Sequence, residues 1–300
     1  MMKYSIPMKI PNQYQTNCLL KEISTFGIGG PAKYFVEVRT IPDMQKTLLF
    51  CYQNEIPYFI LGKGSNSLFD DRGFNGLVIA NRIDCLEKNE KGCWHVGAGY
   101  SFSLLGSQTA RQGWEGLEFA SGIPGSVGGA IFMNAGANGR ETADNLISVD
   151  FVDEQGKLIH FKRSNLNFQY RTSPFQNIKG AIVSATFQLN ASQEARQKQL
   201  SIIDYRKKTQ PYKAKSAGCV FRNPNCGHAG ALIEQAGLKE TKIGGAAVSS
   251  VHANFIINSG LATSQDVLAL IRLIQETVKA KTGAELESEI RYVPYDVNQG

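Results

Sequence analysis

The chain has 300 residues, of which 42% are hydrophobic and 19% charged, and its formal net charge is +6. This is the composition of a globular chain of two or three domains, and it excludes disorder over the whole length. The basic excess is spread thinly, so a nucleic-acid-binding tail is excluded while an anionic small molecule remains a suitable ligand.

The opening stretch MMKYSIPMKIPNQYQTN interrupts with prolines and lysines the apolar core that a signal peptide needs. No apolar run reaches the ~18 residues of a membrane-spanning helix, so no membrane insertion is expected. The cysteines at 18, 51, 85, 93, 219 and 226 show no framework spacing. They read as reduced thiols of a cytoplasmic protein.

In chain order, YFVEV (34–38), a short helix over 43–54 and PYFIL (57–61) make a β-α-β pattern that stops at GKGSN (62–66). Short strands are expected at WHVGAG (94–99), LISVDFV (146–152), LIHF (158–161) and GAIVSATFQL (180–189), with a helix near 103–112. A polar, helix-like connection covers 188–208. TSQDVLALIRLIQETVKAKTG (263–283) then places Val267, Leu270, Ile271, Ile274 and Val278 on one helix face. Thr263 or Ser264 can cap its start, and Gly283 can end it in a left-handed turn. ELESEIRYVPY (285–295) alternates as a strand does. The outline is α+β, with domains expected at 1–80, 81–195 and 196–300.

No Gly-x-Gly-x-x-Gly joins a strand to a helix, and no Walker A motif occurs. Two other glycine loops stand out. In LGKGSN, Gly62 and Gly64 permit positive φ, so that successive backbone N–H groups can converge on phosphate oxygens, with Ser65 and Asn66 adding donors. Such a loop also reads as a plain strand-ending turn. The second, SGIPGSVGGAIFMNAGANG (121–139), concentrates glycine around a corner set by Pro124. That density points to a large flat ligand approaching the backbone, or to tight backbone packing.

STFGIGGPA (24–32), GKGSN (62–66), SGIPGSVGGAIFMNAGA (121–137), FQYRTSPF (168–175), DYRKKTQP (204–211), SAGCVFRNP (216–224), VHANFIIN (251–258) and ESEIR (287–291) follow one another in this order. Together they resemble the UDP-N-acetylenolpyruvoylglucosamine reductase (MurB) family, in its shorter type, from about residue 20 to 295. The resemblance implies three domains. Two would form an FAD-binding module of the vanillyl-alcohol-oxidase type, and the third would bind substrate. It implies NADPH-dependent reduction of UDP-N-acetylglucosamine enolpyruvate to UDP-N-acetylmuramate, in the cytoplasm, by a chain taken as a monomer. The cofactor would rest on Gly62, Lys63, Gly64, Ser65, Asn66 and Ser67, on Ile123, Pro124, Gly125, Ser126, Gly129 and Gly136, and on Arg206. The rival readings are another flavin enzyme of this fold acting on an alcohol or sugar, and a non-enzymatic nucleotide- or metal-binding protein.

Hydride addition to an enolpyruvyl group leaves negative charge on the neighbouring carbon and its carboxylate, which calls for a fixed cation and a proton donor. By the resemblance Arg171 is that cation, Glu289 helps polarise the enol, and Cys219 takes the place of a serine proton donor. A free thiol, with reference pKa near ~8.5, is a readier acid than a hydroxyl, so an alkaline limb at the thiol's pKa is expected. Tyr170, Arg171 and Asn223 match substrate-contacting positions. Where the family has a phosphate-contacting lysine this chain has Thr209, and Lys207, Lys208 or Lys213 are its possible replacements. Cys219, Cys226 and His228 lack metal-site spacing, so no metal is expected. His252 reads as packed and hydrogen-bonded.

Overall fold

The structure, a computed structural model, describes residues 11 and 13–296, so most of the N-terminal stretch weighed against a signal peptide lies outside the described residues. The first sheet runs Gln15–Leu19, Pro31–Val38, Phe74–Asn81, Tyr58–Leu61 in spatial order. Its first pair is antiparallel and the other two are parallel. Helix α1 (Ile41–Gln53) makes the β-α-β crossover, capped by Thr40, whose hydroxyl accepts the Asp43 N–H at 3.2 Å. Met44, Leu48 and Cys51 of α1 pack between Val36, Val38, Leu77 and Ile79 of this sheet and Val152, Ala181 and Val183 of the next. One shared core thus welds the first two bodies together.

The second sheet is antiparallel, in the order Leu158–Lys162, Leu146–Asp153, Gly180–Gln188, Cys93–Gly97, Leu86–Lys88. Helices α2 (Phe102–Arg111) and α3 (Val127–Phe132) cover it, over a core that includes Trp94, Phe102, Phe119, Ile131, Phe175 and Phe187. Helix α4 (Ala195–Thr209) packs on α2 and on the turn at Glu118–Gly122. It buries only Ala195 and Gln199 fully, and Gln199 Nε2 donates to Ser107 Oγ at 3.2 Å.

The third body is the antiparallel sheet Lys215–Cys219, Phe255–Asn258, Ala246–Val248, Lys242–Ile243, backed by α5 (Ala229–Gln235) and α6 (Ser264–Thr282). The α6 face read from the sequence is buried in full, against Ile233 and Ile256 and against Phe26, Ile28 and Leu68 from the first body. Thr263 is its cap, in a reciprocal box with Asp266, and Gly283 ends it at φ 73°. Ser264 instead donates its hydroxyl to Asp71 Oδ2 at 2.7 Å.

The alternation in 285–295 does not give one long strand. Leu286 and Ile290 are buried in the third core, but the backbone partners change along the way. Arg222 and Glu289 exchange bonds with Glu287 and Val220 across this segment, whereas the Arg291 N–H donates to Asn66 O at 3.0 Å. Only Arg291–Val293 is a strand, and it lies parallel to Ser67–Phe69 beside the first sheet. Within 196–300, therefore, α4 packs on the middle body and the last strand on the first. Among the described residues no helix is long and apolar enough to cross a membrane.

Replacing Thr263 by alanine removes one arm of the α6 capping box and is expected to destabilise the chain by about 1 kcal/mol. Urea titration checks this; an unchanged midpoint would mean that the α6 start is held by the Ser264–Asp71 contact alone.

Candidate active site

The two glycine loops face each other. Between Leu61 and Ser67 the chain turns through Gly64, at φ 64°, where a Cβ would come within 2.8 Å of Ser24 Cα. The backbone N–H groups of Lys63, Gly64, Ser65 and Asn66 have no acceptor among the described residues. Opposite them Ser126 caps α3 by accepting the Gly129 N–H at 3.3 Å, and a Cβ on Gly62 would collide with its hydroxyl. The next N–H groups of α3 are already engaged: Val127 donates to Tyr100 O at 2.9 Å and Gly128 to Ala98 O at 2.8 Å. The N–H groups of Gly125 and Ser126 also lack an acceptor among the described residues, so free donors sit on both loops, while Gly62 and Gly128 serve close backbone packing. Arg206 closes this end, its Cδ against Gly122 and its Nε buried without a hydrogen-bond partner.

Both loops open into a cavity of about 1400 Å³ that Arg171, Arg206, Cys219, Glu289 and Arg291 also line. Drug-sized ligands occupy about 300–1,000 Å³, so this space suits a larger cofactor together with a substrate.

Arg171 reaches it from a two-residue turn in which Gln169 and Thr172 exchange backbone hydrogen bonds of 3.0 and 2.9 Å. Its φ is 56°, a left-handed conformation that costs a non-glycine residue about 1–2 kcal/mol. The surroundings impose it. Asn134, fully buried, donates to Gln169 O at 3.0 Å and to Glu141 at 2.7 Å, and accepts the Ala143 N–H at 3.1 Å. Ser173 Oγ and Gln176 Nε2 donate to Phe132 O at 2.7 and 2.9 Å, bolting the turn to the end of α3. Arg171 Nε donates to Glu289 Oε1 at 2.7 Å and Nη2 to Gly136 O at 3.1 Å. Nη1 has no partner among the described residues, which leaves donors for a ligand carboxylate. The pair is 18% and 15% exposed, and burial raises the Glu289 pKa while Arg171 opposes that rise.

Cys219 ends its strand on a bulge. Pairing slips between Ser216, opposite Ile257, and Cys219, opposite Phe255, with Gly218 at φ 78°. Such a bulge re-aims the following side chain, here into the cavity. Burial, with the Glu289 charge, pushes the thiol up to about 12 against the opposing charges of Arg171 and Arg206. The thiol is held protonated, as a donor must be, but it is a weaker acid than the free-thiol value implies. The alkaline limb expected near that free value is thereby moved far upward.

Two family models match the chain: an FAD binding domain over residues 32–162, and the C-terminal domain of UDP-N-acetylenolpyruvoylglucosamine reductase over 210–293. The UDP-N-acetylenolpyruvoylglucosamine reductase of Chlamydia muridarum is 49% identical across 97% of this chain and 98% of its own. That of Chlamydia felis is 45% identical across 98% and 99%. The chain belongs to the UDP-N-acetylenolpyruvoylglucosamine reductase family. The crystal structure of UDP-N-acetylenolpyruvylglucosamine reductase (MurB) from Thermus caldophilus resembles it with a TM-score of 0.80 at 37% identity, over 94% of this chain and 99% of that one.

The reductase fold accounts for several other side chains. FAD fits the residues present: free N–H donors at 63–66 for a diphosphate, an orphaned Arg206 Nε, and a cavity large enough. Tyr170 and Asn223 meet each other, the Asn223 N–H donating to Tyr170 Oη at 3.3 Å, but neither lines the cavity. Asn223 Oδ1 is occupied by the Ala229 N–H at the start of α5. Thr209 turns its hydroxyl back to Tyr205 O at 2.9 Å, and Lys207, Lys208 and Lys213 stay off the cavity wall, which Tyr205, Gln210 and Tyr212 line instead. Cys226 is an exposed free thiol, and the described residues include no His, Cys, Asp and Glu cluster suited to a metal. His252 packs edge-on to Phe255, its Nδ1 accepting the Asn254 N–H at 3.2 Å.

Neither this thiol nor a serine hydroxyl ionises between about pH 7 and 10. Unaltered chain and Cys219→Ser are therefore expected to show the same alkaline dependence of turnover in that range. A limb present with cysteine and absent with serine would place the thiol pKa much lower than the buried geometry does.

Proposed function

We infer that the chain reduces the enolpyruvyl group of UDP-N-acetylglucosamine enolpyruvate to UDP-N-acetylmuramate with NADPH, a cytoplasmic step in making peptidoglycan precursors. Family membership supports the reaction. The observation that carries the residue roles is the convergence of Arg171, Glu289 and Cys219 on one cavity wall. In this reading residues 1–80 and 81–195 hold the cofactor and 196–300 close over the substrate. A monomer suffices, because all three bodies of one chain line the cavity.

Bound FAD, reduced by NADPH, supplies the hydride that the enolpyruvyl carbon receives. Arg171 holds the substrate carboxylate with the guanidinium donors that Glu289 leaves unused, and stays charged throughout. Its tethered turn presets the geometry, so little reorganisation remains at the moment of reaction. Glu289, anchored by Arg171 Nε, is placed to polarise the developing enol. Cys219 gives its proton to the carbon next to the one that receives hydride. Asn223 and Tyr170, joined by a hydrogen bond of 3.3 Å outside the cavity lining, would meet the substrate only where it extends beyond that lining.

The purified chain is expected to show a flavin spectrum that NADPH bleaches and the enolpyruvyl substrate restores. Cys219→Ala should bleach normally but recover at least about 100-fold more slowly, the usual loss for a missing proton donor; Cys219→Ser should keep substantial activity. Normal recovery in the alanine variant would remove the donor role, and a colourless chain that refuses added FAD would remove the functional reading.

A further inference from the structure

Arg291 was not among the sequence-derived site residues, although it closes the E-I-R motif. It lines the same cavity as Glu289, two residues earlier in the chain. Its N–H donates to Asn66 O at 3.0 Å, beside the free donors of the first glycine loop. The guanidinium lies 4.6 Å from the ring centroid of Phe132 and 5.8 Å from that of Phe59, which keeps the side chain inside the site. Arg291 is exposed, its accessible surface opening on the cavity, although the protein around it removes enough water to lower its pKa.

No carboxylate answers this charge among the described residues. Arg171 has Glu289, Arg72 has Asp70 and Arg82 has Glu37; nothing but desolvation acts on Arg291. A cation that lines a ligand cavity and has no protein counter-ion is placed to meet negative charge on the ligand. The diphosphate of FAD already has the backbone donors at 63–66 and the guanidinium of Arg206. Arg291 stands further along, on the Glu289 side, where the reacting part of the cofactor must lie.

We propose that Arg291 is the fixed cation that stabilises the negative charge gained by the flavin on two-electron reduction. This rests on the FAD reading above. A hydride from NADPH carries two electrons and one proton into the ring system, so one negative charge is left there. A guanidinium fixed beside the ring favours that charged state over the neutral oxidised one. The residue therefore sets the driving force of both half-reactions.

The test uses the midpoint potential of the FAD-loaded full chain, measured by dye equilibration, because that potential reports the difference between affinities for reduced and oxidised flavin. Arg291→Met keeps an unbranched side chain against Phe59 and Phe132 but removes the charge. Its relative affinity for reduced flavin is expected to fall about tenfold, which a two-electron couple registers as a drop of about 30 mV. Affinity for oxidised FAD, titrated into stripped protein, should change far less, and Arg291→Lys should stay close to the unaltered potential. An unchanged potential with weakened binding of oxidised FAD would overturn the proposal and make Arg291 a diphosphate contact. If the methionine variant does not hold FAD, Arg291→Gln and Arg291→Lys decide by the same comparison. Failure of the unaltered chain to bind FAD is a separate result, and it would overturn the cofactor reading itself.

Discussion

The parallel pairing of Arg291–Val293 with Ser67–Phe69 is the constraint on which the site depends. It brings the end of the third body back against the first, immediately after a loop with free N–H donors. Strand alternation then puts Arg291 and Tyr292 on opposite sides. Glu289 and Arg291 point in. Tyr292 points away and donates its hydroxyl to Asp70 Oδ2 at 2.7 Å, and Asp70 is held well below the usual carboxylate range by Arg72. A slip of one residue would break the Tyr292 anchor and take Arg291 off the cavity side. Three paired residues thus help to set the cavity wall at a point where three bodies meet.

The same junction explains how the chain tolerates an unfavourable local state. A buried ion pair and a left-handed arginine each oppose folding. Both fall on Arg171, and both are over-determined by neighbours that belong to a different element. Asn134 holds the turn through Gln169, α3 holds it through Phe132 O, and Glu289, from the third body, holds the guanidinium directly. The strain is confined to one residue while its supports are spread over the middle and third bodies. Removing one support leaves the others to keep the turn in place, but the exact aim of Nη1 depends on all of them.

Much of the fold was legible in the sequence where local chemistry and burial agree. The α6 face, its Thr263 cap and its Gly283 stop follow from helix geometry alone, and four strands of the second sheet follow from alternation or apolar runs, while the short edge strand Leu86–Lys88 does not. The central strand of the first sheet, Phe74–Asn81, escaped notice because it is buried on both faces and interrupted by Gly76, so it lacks a period of two. Helix α5 is only seven residues long, with too few turns for a face to show. The alternation in 285–295 was real, but it recorded a buried side shared by two neighbours rather than one ladder. Arg171, Cys219 and Glu289 could be matched by motif. That Arg171 is left-handed, that Asn223 already caps α5 and that Arg291 lacks a counter-ion are facts of tertiary placement, which no local pattern encodes.

The cysteine shows how far environment can reverse a residue's intrinsic chemistry. In water a thiol is a far better acid than a hydroxyl, which makes the cysteine look like a gain in proton donation. In this cavity burial and the Glu289 charge lift it to about 12, which removes most of that advantage. The same shift keeps the proton on the sulfur, as the proposed donor role requires, since a thiolate could not donate and would repel an enolate. On that proposal cysteine and serine would be near equivalents here, because the cavity, more than the atom at Cβ, would fix when the proton leaves.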